Sequence, residues 1–401
     1  LDGNGLGFYE TNQTTNEVAQ ADVEAHFGGD NWIAGNYLRG RQDVIVNALN
    51  VDFDVTDNLT FTSVTMKRNV QRFGGQDQDG SPFNAIDAWG AKRYPEDDKG
   101  GITYDSFTQE IKISSDYDGP FNYVTGWSHS DDDNEFVLGL GGVWYLPFEL
   151  IALSTTDNES NSYYFDGAMD VTDSLTVTAG VRTTDDELDM SIVYPLLGPA
   201  SLSSDGVDYS ETTYRLVVDY DLSDSSMIYA SFNTGIKSGG FNAPAYAIAP
   251  PLPPEEIDAI EVGGKFSWGS TSFEFAFFDY EWENLQVAII STTAGGLAQE
   301  SAAAAESQGF EFSANFEPSD NISIGLGGLW LEGEYVDYNS SSFYPAGWAN
   351  PGARGFLGGY PEDLAGYQTA NSPELSLRGN LSYRFNAGNG IDGRFSALVS
   401  Y

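Results

Sequence analysis

Apolar and polar residues alternate in segment after segment of this chain, which is the pattern of β-strands with one apolar face. In the segment 174–182, the odd-numbered positions from Leu175 to Val181 are apolar, whereas the even-numbered positions carry hydroxyls, glycine and Arg182. Helical periodicity is scarce, so the sequence predicts an all-β fold. The same alternation recurs at 214–222, 310–317 and 375–385.

The polar side of each segment distinguishes between the possible all-β folds. It carries charges and amides at almost every position, as with Arg215, Asp219 and Asp221 in the segment 214–222. One face therefore prefers hydrocarbon and the other prefers water. Segments of about ten residues with this repeat are typical of transmembrane β-barrel strands, which have a wet lumen and a lipid-facing exterior. The segment 271–290 is also longer than most strands of soluble proteins.

Short turns alternate with long connections along the chain. Four turns share an apolar strand end, an acid, a hydroxyl residue and then Asp with Asn or Ser, at 53–59, 169–175, 220–226 and 316–322. Side chains of these types hydrogen-bond within tight turns. Short turns on one side and long loops on the other are expected of an outer-membrane barrel. Long irregular connections are predicted at about 71–105, 185–208, 239–254, 291–306 and 339–371.

Composition excludes several classes of protein. The chain has 60 acidic against 17 basic residues, a net charge of −43 that opposes binding to nucleic-acid phosphates. An aromatic content of 14% excludes an acidic disordered chain. No cysteine is present for disulfides or thiolate chemistry.

The sequence contains no candidate transmembrane helix. The most apolar window, 137–153, is interrupted by glycines, Pro147 and Glu149. Residues 1–5 show no signal peptide.

Several stretches, in order along the chain, resemble the TonB-dependent outer-membrane receptors, in particular the ferric-siderophore and iron-complex receptors. The strongest are IYASFNTGIKSGGFN at 228–242 and PEEIDAIEVGGK at 254–265. The others are FTQEIKI at 107–113, LTVTAGVR at 175–182 and SQGFEF at 307–312. The resemblance implies an antiparallel transmembrane β-barrel in the outer membrane of a Gram-negative bacterium. It also implies active, energy-coupled uptake of a scarce ligand, most often a ferric siderophore, without enzymatic activity.

The chain departs from that family at both ends. Nothing before Asn47 resembles the N-terminal plug domain or the TonB-box peptide, and the family normally continues for several strands beyond the segment near Phe395. We therefore expect a loop and weak strand region at 1–43 and a barrel domain at 44–401 that is incomplete at both ends. It would form roughly half of a barrel of about 22 strands, without a plug. The strands near Ile45 and Phe395 should lie apart.

The resemblance also suggests which residues meet a ligand and partners. Aromatic rings in the long loops could grip an iron chelate, or could instead pack the loops or mark the membrane interface: Trp89, Tyr94, Phe343, Tyr344, Trp348, Phe356, Tyr360 and Tyr367. Basic residues on the polar faces could pair with lumen acids or with a plug: Arg182, Arg215, Lys237, Lys265, Arg378 and Arg384. The expected partners are the TonB complex, through the missing N-terminal region of the parent, outer-membrane lipid with lipopolysaccharide, and a small-molecule ligand.

No metal, cofactor or catalytic site is expected. The acids at 77–80 and 131–135 offer oxygen ligands for Ca²⁺, but neither completes an EF-hand spacing, and solvated acids are favoured. His26 and His129 have no second ligand at metal-binding spacing. The acidic excess either binds divalent ions that bridge lipopolysaccharide or reflects a saline habitat, and the sequence favours neither.

Other functions remain as alternatives. A passive porin, or TonB-dependent uptake of cobalamin or an oligosaccharide, would show the same strands. A barrel enzyme needs a histidine beside a nucleophile, which no strand supports. A soluble β-propeller or β-solenoid is disfavoured because the turns recur at irregular intervals.

The barrel interpretation makes a definite prediction about which residues lie on each face of the sheet. One set of residues should lie on the convex lipid side: Leu175, Val177, Phe310, Phe312, Leu375 and Leu377. The other should lie on the concave side: Arg182, Arg215, Glu311 and Arg378.

Overall fold

A computed structural model of the chain describes residues 41–73, 87–88, 102–141, 150–194, 197–242, 250–291, 296–340, 362–386, 388 and 390–401. Its seventeen strands are β1 Arg41–Thr56, β2 Leu59–Phe73, β3 Asp87–Ala88, β4 Ile102–Ser115, β5 Phe121–Gly141, β6 Leu150–Thr172, β7 Leu175–Val193, β8 Ser203–Ser223, β9 Ser226–Lys237, β10 Glu255–Trp268, β11 Thr271–Ser291, β12 Gly296–Ser319, β13 Ile322–Asp337, β14 Asn339–Ser340, β15 Glu362–Asp363, β16 Leu375–Asn386 and β17 Asp392–Ser400. A single 3-10 turn, Pro199–Ser201, is the only helical element within those ranges. No helix there is long and apolar enough to cross a bilayer.

The strands form one antiparallel sheet in sequence order. Fourteen of them follow one another from β1 to β17, with β3 beside β5, while β14 and β15 form a separate pair. This confirms the predicted all-β, antiparallel architecture. Within the described residues, β1 pairs only with β2 and β17 only with β16. The strands near Ile45 and Phe395 therefore lie at opposite ends of the sheet, as predicted.

The four turns recognised in the sequence join neighbouring strands. Asp57-Asn58 connects β1 to β2, and the backbone N–H of Asn58 donates to Thr56 Oγ1 at 3.3 Å. The turn between β6 and β7 repeats the arrangement, with the N–H of Ser174 donating to Thr172 Oγ1 at 3.2 Å. A hydroxyl two residues earlier satisfies an amide that the tight turn leaves unpaired.

Strand register confirms the two predicted faces. Residues directly opposite each other in a sheet point to the same side. Starting from Val177, the paired positions are Val218, Ala230, Val262, Phe277, Phe310, Trp330 and Leu375. Leu175, Phe312 and Leu377 lie on the same face two residues away. The opposite face carries the residues that lie an odd number of positions from this row on their strands, which include Arg182, Arg215, Glu311 and Arg378.

Burial in this sheet is the reverse of that in a soluble protein. On the apolar face, Phe165 is 41% exposed and Tyr214 is 55% exposed, although both are large rings in the middle of the sheet. On the polar face, Ser162 is only 1% exposed. A contiguous exposed apolar face marks a surface that another apolar medium covers. Alternating apolar-out and polar-in residues are what a barrel in a bilayer requires.

The apolar face has a height that suits a membrane. On β6, the outward positions from Val171 to Tyr163 span ~27 Å of strand, which a tilt of ~40° reduces to roughly 20 Å along the membrane normal. Aromatic rings mark the upper limit, where Tyr163 pairs with Trp127 of β5. Trp and Tyr are enriched at this interface because one end of the ring is apolar and the other polar. We call this band the apolar belt.

Two predicted loops, 185–208 and 291–306, are wrong for most of their length. Strand β7 continues to Val193, β8 begins at Ser203 and β12 begins at Gly296. Above the apolar belt the outer face of the sheet meets water, so outward positions no longer need to be apolar. On β7 the alternation inverts there, with Leu188, Met190 and Ile192 buried on the inner face and Glu187 and Asp189 outside, so it no longer continues the pattern that marks the lower part of the strand.

Carboxylates cover the outward face directly above the apolar belt. In one row of cross-strand neighbours, Asp105, Asp133, Asp157 and Asp189 stand on β4 to β7. Within the described strands β4 to β13, register places no lysine or arginine on this outward face. We call this surface the acidic collar. Its members are Asp105, Asp131, Asp133, Glu135, Asp157, Glu159, Asp185, Glu187, Asp189, Asp208, Glu256, Asp258, Asp279, Glu281, Glu283, Glu306, Glu332 and Glu334.

Candidate functional site

The basic residues singled out in the sequence share the polar face of the sheet, and two of them are in ion pairs. Arg215 of β8 lies 3.6 Å from Asp166 of β6, measured from Nη1 to Oδ2. Lys237, at the end of β9, lies 3.8 Å from Glu255, at the start of β10. Both pairs are partly exposed, so each adds little to stability. Their effect here is to neutralise these two cations.

Arg182 has a different environment. From β7 it extends across β6 to β5, where its Nη2 donates to Ser128 Oγ at 3.0 Å. Its guanidinium carbon lies 5.7 Å from the centre of the Tyr164 ring. Tyr164 in turn spans Gly126 and donates to Glu110 Oε1 of β4 at 2.8 Å. Side chains that reach over a whole strand indicate that the polar face is the concave one, because curvature brings alternate strands closer on that side.

A niche of about 640 Å³ opens in this inner wall between β5 and β9. Its volume lies within the range of small-molecule sites. Most of its side chains are hydroxyls, amides and carboxylates, with Arg182 as the one cation among the lining residues described. The niche is lined by Ser130, Asp132, Asn158, Glu159, Ser160, Ser162, Arg182, Thr184, Asp186, Leu188, Thr213, Gly235, Ile236, Ser238 and Gly239.

Two carboxylates face the niche and a third turns away. Asp132 of β5 and Asp186 of β7 point to the polar face by register. Among the described residues, neither makes a hydrogen bond or an ion pair. Glu159 faces the other side of the sheet, where Asn161 Nδ2 donates to its Oε1 at 3.0 Å. Ser162 and Thr184 share a hydrogen bond of 2.9 Å. The niche therefore offers uncommitted acceptors to a ligand.

The residues that follow β9 form one wall of the niche, and we call the segment 238–242 the rim segment. Gly240 and Leu252 exchange two backbone hydrogen bonds, of 2.9 and 2.7 Å. Tyr209 of β8 fixes the same point, donating its hydroxyl to the Leu252 carbonyl at 2.7 Å. Gly240 has a φ of +137°, a conformation that favours glycine. Phe241 packs against the buried cluster of Ala152, Met190 and Ile192.

The rim segment is also fastened to the far side. Asn242 forms a reciprocal pair with Gln299 of β12: the Gln299 N–H donates to Asn242 Oδ1 at 2.6 Å, and Asn242 Nδ2 donates to the Gln299 carbonyl at 2.9 Å. Gln286 of β11 donates its Nε2 to the Ser238 carbonyl at 3.0 Å. The rim segment therefore connects the wall formed by β6 to β8 with the strands beyond β10. The KSGGFN stretch of the family resemblance contains these residues, but the sequence alone did not reveal their contacts.

Most of the aromatic residues predicted to bind a ligand lie outside the described residues. This applies to Trp89, Tyr94, Phe343, Tyr344, Trp348, Phe356 and Tyr360. Tyr367 is described and 61% exposed, and its backbone N–H donates to the Leu364 carbonyl at 3.0 Å. Its ligand role stays a prediction. Lys265 and Arg378 lie on the polar face on β10 and β16.

The acidic stretches considered for metal binding now have a position. Residues 77–80 and His26 lie outside the described residues. Asp131 and Asp133 belong to the acidic collar, and their carboxylate oxygens lie within 4.8 Å of each other and of Asp157. All three are exposed, as solvated acids are. His129 stacks on Trp127, with ring centres 5.8 Å apart, and its Nδ1 lies 3.1 Å from Asn161 Oδ1.

Comparison with known proteins agrees with this architecture. The family model for the β-barrel of TonB-dependent receptor-like proteins matches residues 1–401. No curated protein sequence matches the chain.

Solved structures share the fold at low sequence identity. The ferric yersiniabactin uptake receptor FyuA from Yersinia pestis is 15% identical with a TM-score of 0.67, over 90% of this chain and 53% of that one. The siderophore receptor PiuA from Acinetobacter baumannii is 18% identical with a TM-score of 0.62, over 86% and 52%. The ferric-catecholate import receptor Fiu from Escherichia coli K12 is 12% identical with a TM-score of 0.58, over 90% and 53%. The chain spans about half the length of these structures.

Proposed function

The chain belongs to the TonB-dependent receptors through its β-barrel domain, and from that premise we propose that it forms part of the wall of an outer-membrane receptor for energy-coupled uptake. Members of this family are transporters of the Gram-negative outer membrane rather than enzymes. The proposed reaction is therefore translocation, with no covalent step. The receptor would hold a scarce ligand on the extracellular side and pass it through the lumen.

The reversed burial of the sheet is the observation that carries this proposal. Large rings such as Tyr214 are exposed on one face, while Ser162 is buried on the other. Such a sheet is stable only with hydrocarbon outside and water or polar protein inside. The niche lies on the wet side, above the level of the apolar belt on β5 to β7, where a ligand would arrive from outside.

An iron chelate is the ligand we propose. The similar structures include a ferric yersiniabactin receptor, a siderophore receptor and a ferric-catecholate receptor, although at 12–18% identity they share the fold alone. Cobalamin or an oligosaccharide would need the same barrel. The proposed partners are the TonB complex, reached through an N-terminal region of the parent protein, and the lipid and lipopolysaccharide around the barrel.

Uptake measurements in cells test this function. Cells that rely on the full-length receptor for growth under iron limitation should accumulate radiolabelled ferric chelate. Accumulation should stop when TonB is deleted or the proton-motive force is collapsed, because the family couples transport to the inner membrane. A matched strain without the receptor controls for other routes. Solute entry that continues without an energy source would contradict the proposal and favour a passive porin.

A further inference from the structure

The niche and its surroundings determine which charge a cargo can carry. We infer that the luminal niche selects an uncharged or cationic iron chelate, one that presents ammonium, hydroxyl or amide donors, over an anionic chelate. This rests on the proposed function and goes further, because it specifies the chemical class of the ligand. Three features of the protein support it: the cations that are already in ion pairs, the niche carboxylates that are not, and the charged groups around the niche.

Two of the three cations near the niche are paired with carboxylates, and the third, Arg182, is outnumbered by Asp132 and Asp186. Arg215 is neutralised by Asp166 at 3.6 Å, and Lys237 by Glu255 at 3.8 Å. Arg182 is held between Ser128 and the Tyr164 ring. An anionic chelate needs charge-assisted donors, and arginine forks supply the strongest of them. Within the described wall, one arginine with an already engaged guanidinium is the only such donor that lines the niche.

The carboxylates of the niche are uncommitted. Asp132 on β5 lies opposite Asn158 of β6, and Asp186 on β7 lies opposite Ser160, two residues further along β6. A charged carboxylate can only accept hydrogen bonds. The hydroxyls of Ser160 and Thr184 accept as well as donate. A ligand that donates several hydrogen bonds and carries a positive charge therefore complements this wall, whereas an anion meets like charge.

The field outside the niche has the same sign. The acidic collar presents carboxylates on every described strand from β4 to β8 and from β10 to β13, with no outward lysine or arginine among them. A surface of one sign lowers the local concentration of ions of that sign and raises that of the opposite sign. The effect decays over ~8 Å at physiological ionic strength. Approach and binding thus favour the same class of cargo.

Three iron chelates of different net charge provide the probe. A ferric trihydroxamate is neutral, and the same complex with an alkylammonium tail is a cation, whereas a ferric tricatecholate is a trianion. We expect the full-length receptor to bind the cation most tightly, the neutral complex next and the trianion least. Raising the salt concentration should narrow the gap between cation and trianion, since screening weakens charge selection.

A double variant localises the effect. Asp132→Asn with Asp186→Asn keeps the size and polarity of both side chains, and we expect it to reduce the preference for the cation over the neutral complex roughly tenfold. Asp133→Asn with Asp189→Asn removes the same charge from the outward face of the same two strands, β5 and β7, and should leave that preference within about twofold. A heat-modifiability gel establishes that each variant is an assembled barrel.

Each outcome bears on the inference. Binding of the trianion as tightly as the cation by the unmodified receptor, or a cation preference unchanged in the niche variant, would overturn it while leaving receptor function intact. A loss of preference in the outward variant as large as that in the niche variant would also overturn it, because the selection would not reside in the niche. Binding of no chelate of any charge would overturn both this inference and the proposed function.

Discussion

The ring of Tyr229 on β9 lies directly over Gly263 on β10, on the luminal face of the sheet. A Cβ atom added to Gly263 would stand 2.6 Å from the ring and the hydroxyl of Tyr229, and equally close to the Phe275 carbonyl oxygen of β11. The same hydroxyl donates to Glu261 Oε1 at 2.5 Å, and Tyr280 of β11 donates to the other oxygen of that carboxylate at 3.3 Å. Because Gly263 has no side chain, the Tyr229 ring can lie across β10 and reach Glu261. Hydrogen bonds to that carboxylate then connect β9, β10 and β11.

Gly263→Ala should destabilise the barrel by about 1–3 kcal/mol, because the methyl group collides with the Phe275 carbonyl, displaces the Tyr229 ring and breaks its hydrogen bond to Glu261. The midpoint of denaturant unfolding in detergent measures the change. Gly327→Ala is the matched control, since that luminal glycine has no atom closer than 3.7 Å to an added Cβ. Equal losses in the two variants would show that the cost comes from glycine replacement itself and not from the ring.

Asp133→Asn should stabilise the protein by about 0.2–1 kcal/mol, because Asp133 stands directly between Asp105 and Asp157 in the acidic collar. Like charges on neighbouring strands repel, and the amide removes one of them. The gain should shrink in high salt. Unfolding midpoints at low and high ionic strength measure it. Asp170→Asn serves as the comparison, because Asp170 accepts a hydrogen bond from Thr176 at 2.7 Å and should give no gain. No stabilisation at low salt would contradict the prediction.

Asn242→Ala should loosen the rim segment while the barrel stays assembled. The substitution removes both hydrogen bonds to the backbone of Gln299, which together contribute about 1–3 kcal/mol to the local structure. Limited proteolysis with mass spectrometry should show faster cleavage between 238 and 254. Asn233→Ala provides a control on β9, since the Asn233 side chain donates to Ser231 alone among the residues that the structure describes. A cleavage rate equal to that of the unmodified protein would mean that the Gly240 and Leu252 pair fixes the segment alone.

Trp348→Ala combined with Tyr360→Ala should weaken ligand binding by roughly 1–3 kcal/mol, because aromatic anchors in loops provide contact energy without supporting the strands. Ligand titration of the full-length receptor measures the effect, with a heat-modifiability gel to follow assembly. Trp268→Ala is the control, since this exposed tryptophan lies beside the β10–β11 turn. Unchanged affinity would show that the two loop rings have a structural role.

Local chemistry explains why so much of the fold could be predicted. Leu175 and Arg182 lie on opposite faces because an odd number of residues separates them, and a strand bounded by hydrocarbon and water records that in its sequence. The turn at Asp173-Ser174 depends only on residues beside it. The upper part of β7 could not be predicted in this way, since the polarity of its two faces is inverted there: Asp189 stands outside, while Met190 and Ile192 are buried on the inner face.

The niche depends on contacts between residues that are distant in the sequence. Arg182 meets Ser128, which lies 54 residues away, and Asn242 meets Gln299, which lies 57 residues away. No local pattern predicts such pairs. Alternation alone assigns the basic residues to the polar face. Predicting which residues they contact would require the register of five strands. Register, once known, would have placed Asp132 and Asp186 on the same face as Arg182, higher on β5 and β7.

The acidic collar determines how deep the barrel sits. On β5, Trp127 marks the top of the apolar belt, and Asp131 follows only two outward positions later, ~13 Å along the strand. If the barrel sank or tilted by that distance, carboxylates on several strands would enter hydrocarbon, at a cost of up to a few kcal/mol each. A thicker bilayer therefore cannot draw the protein downward. The lipids around it must shorten or stretch to match, so any adjustment to membrane thickness occurs in the lipid and leaves the niche at a constant height above the surface.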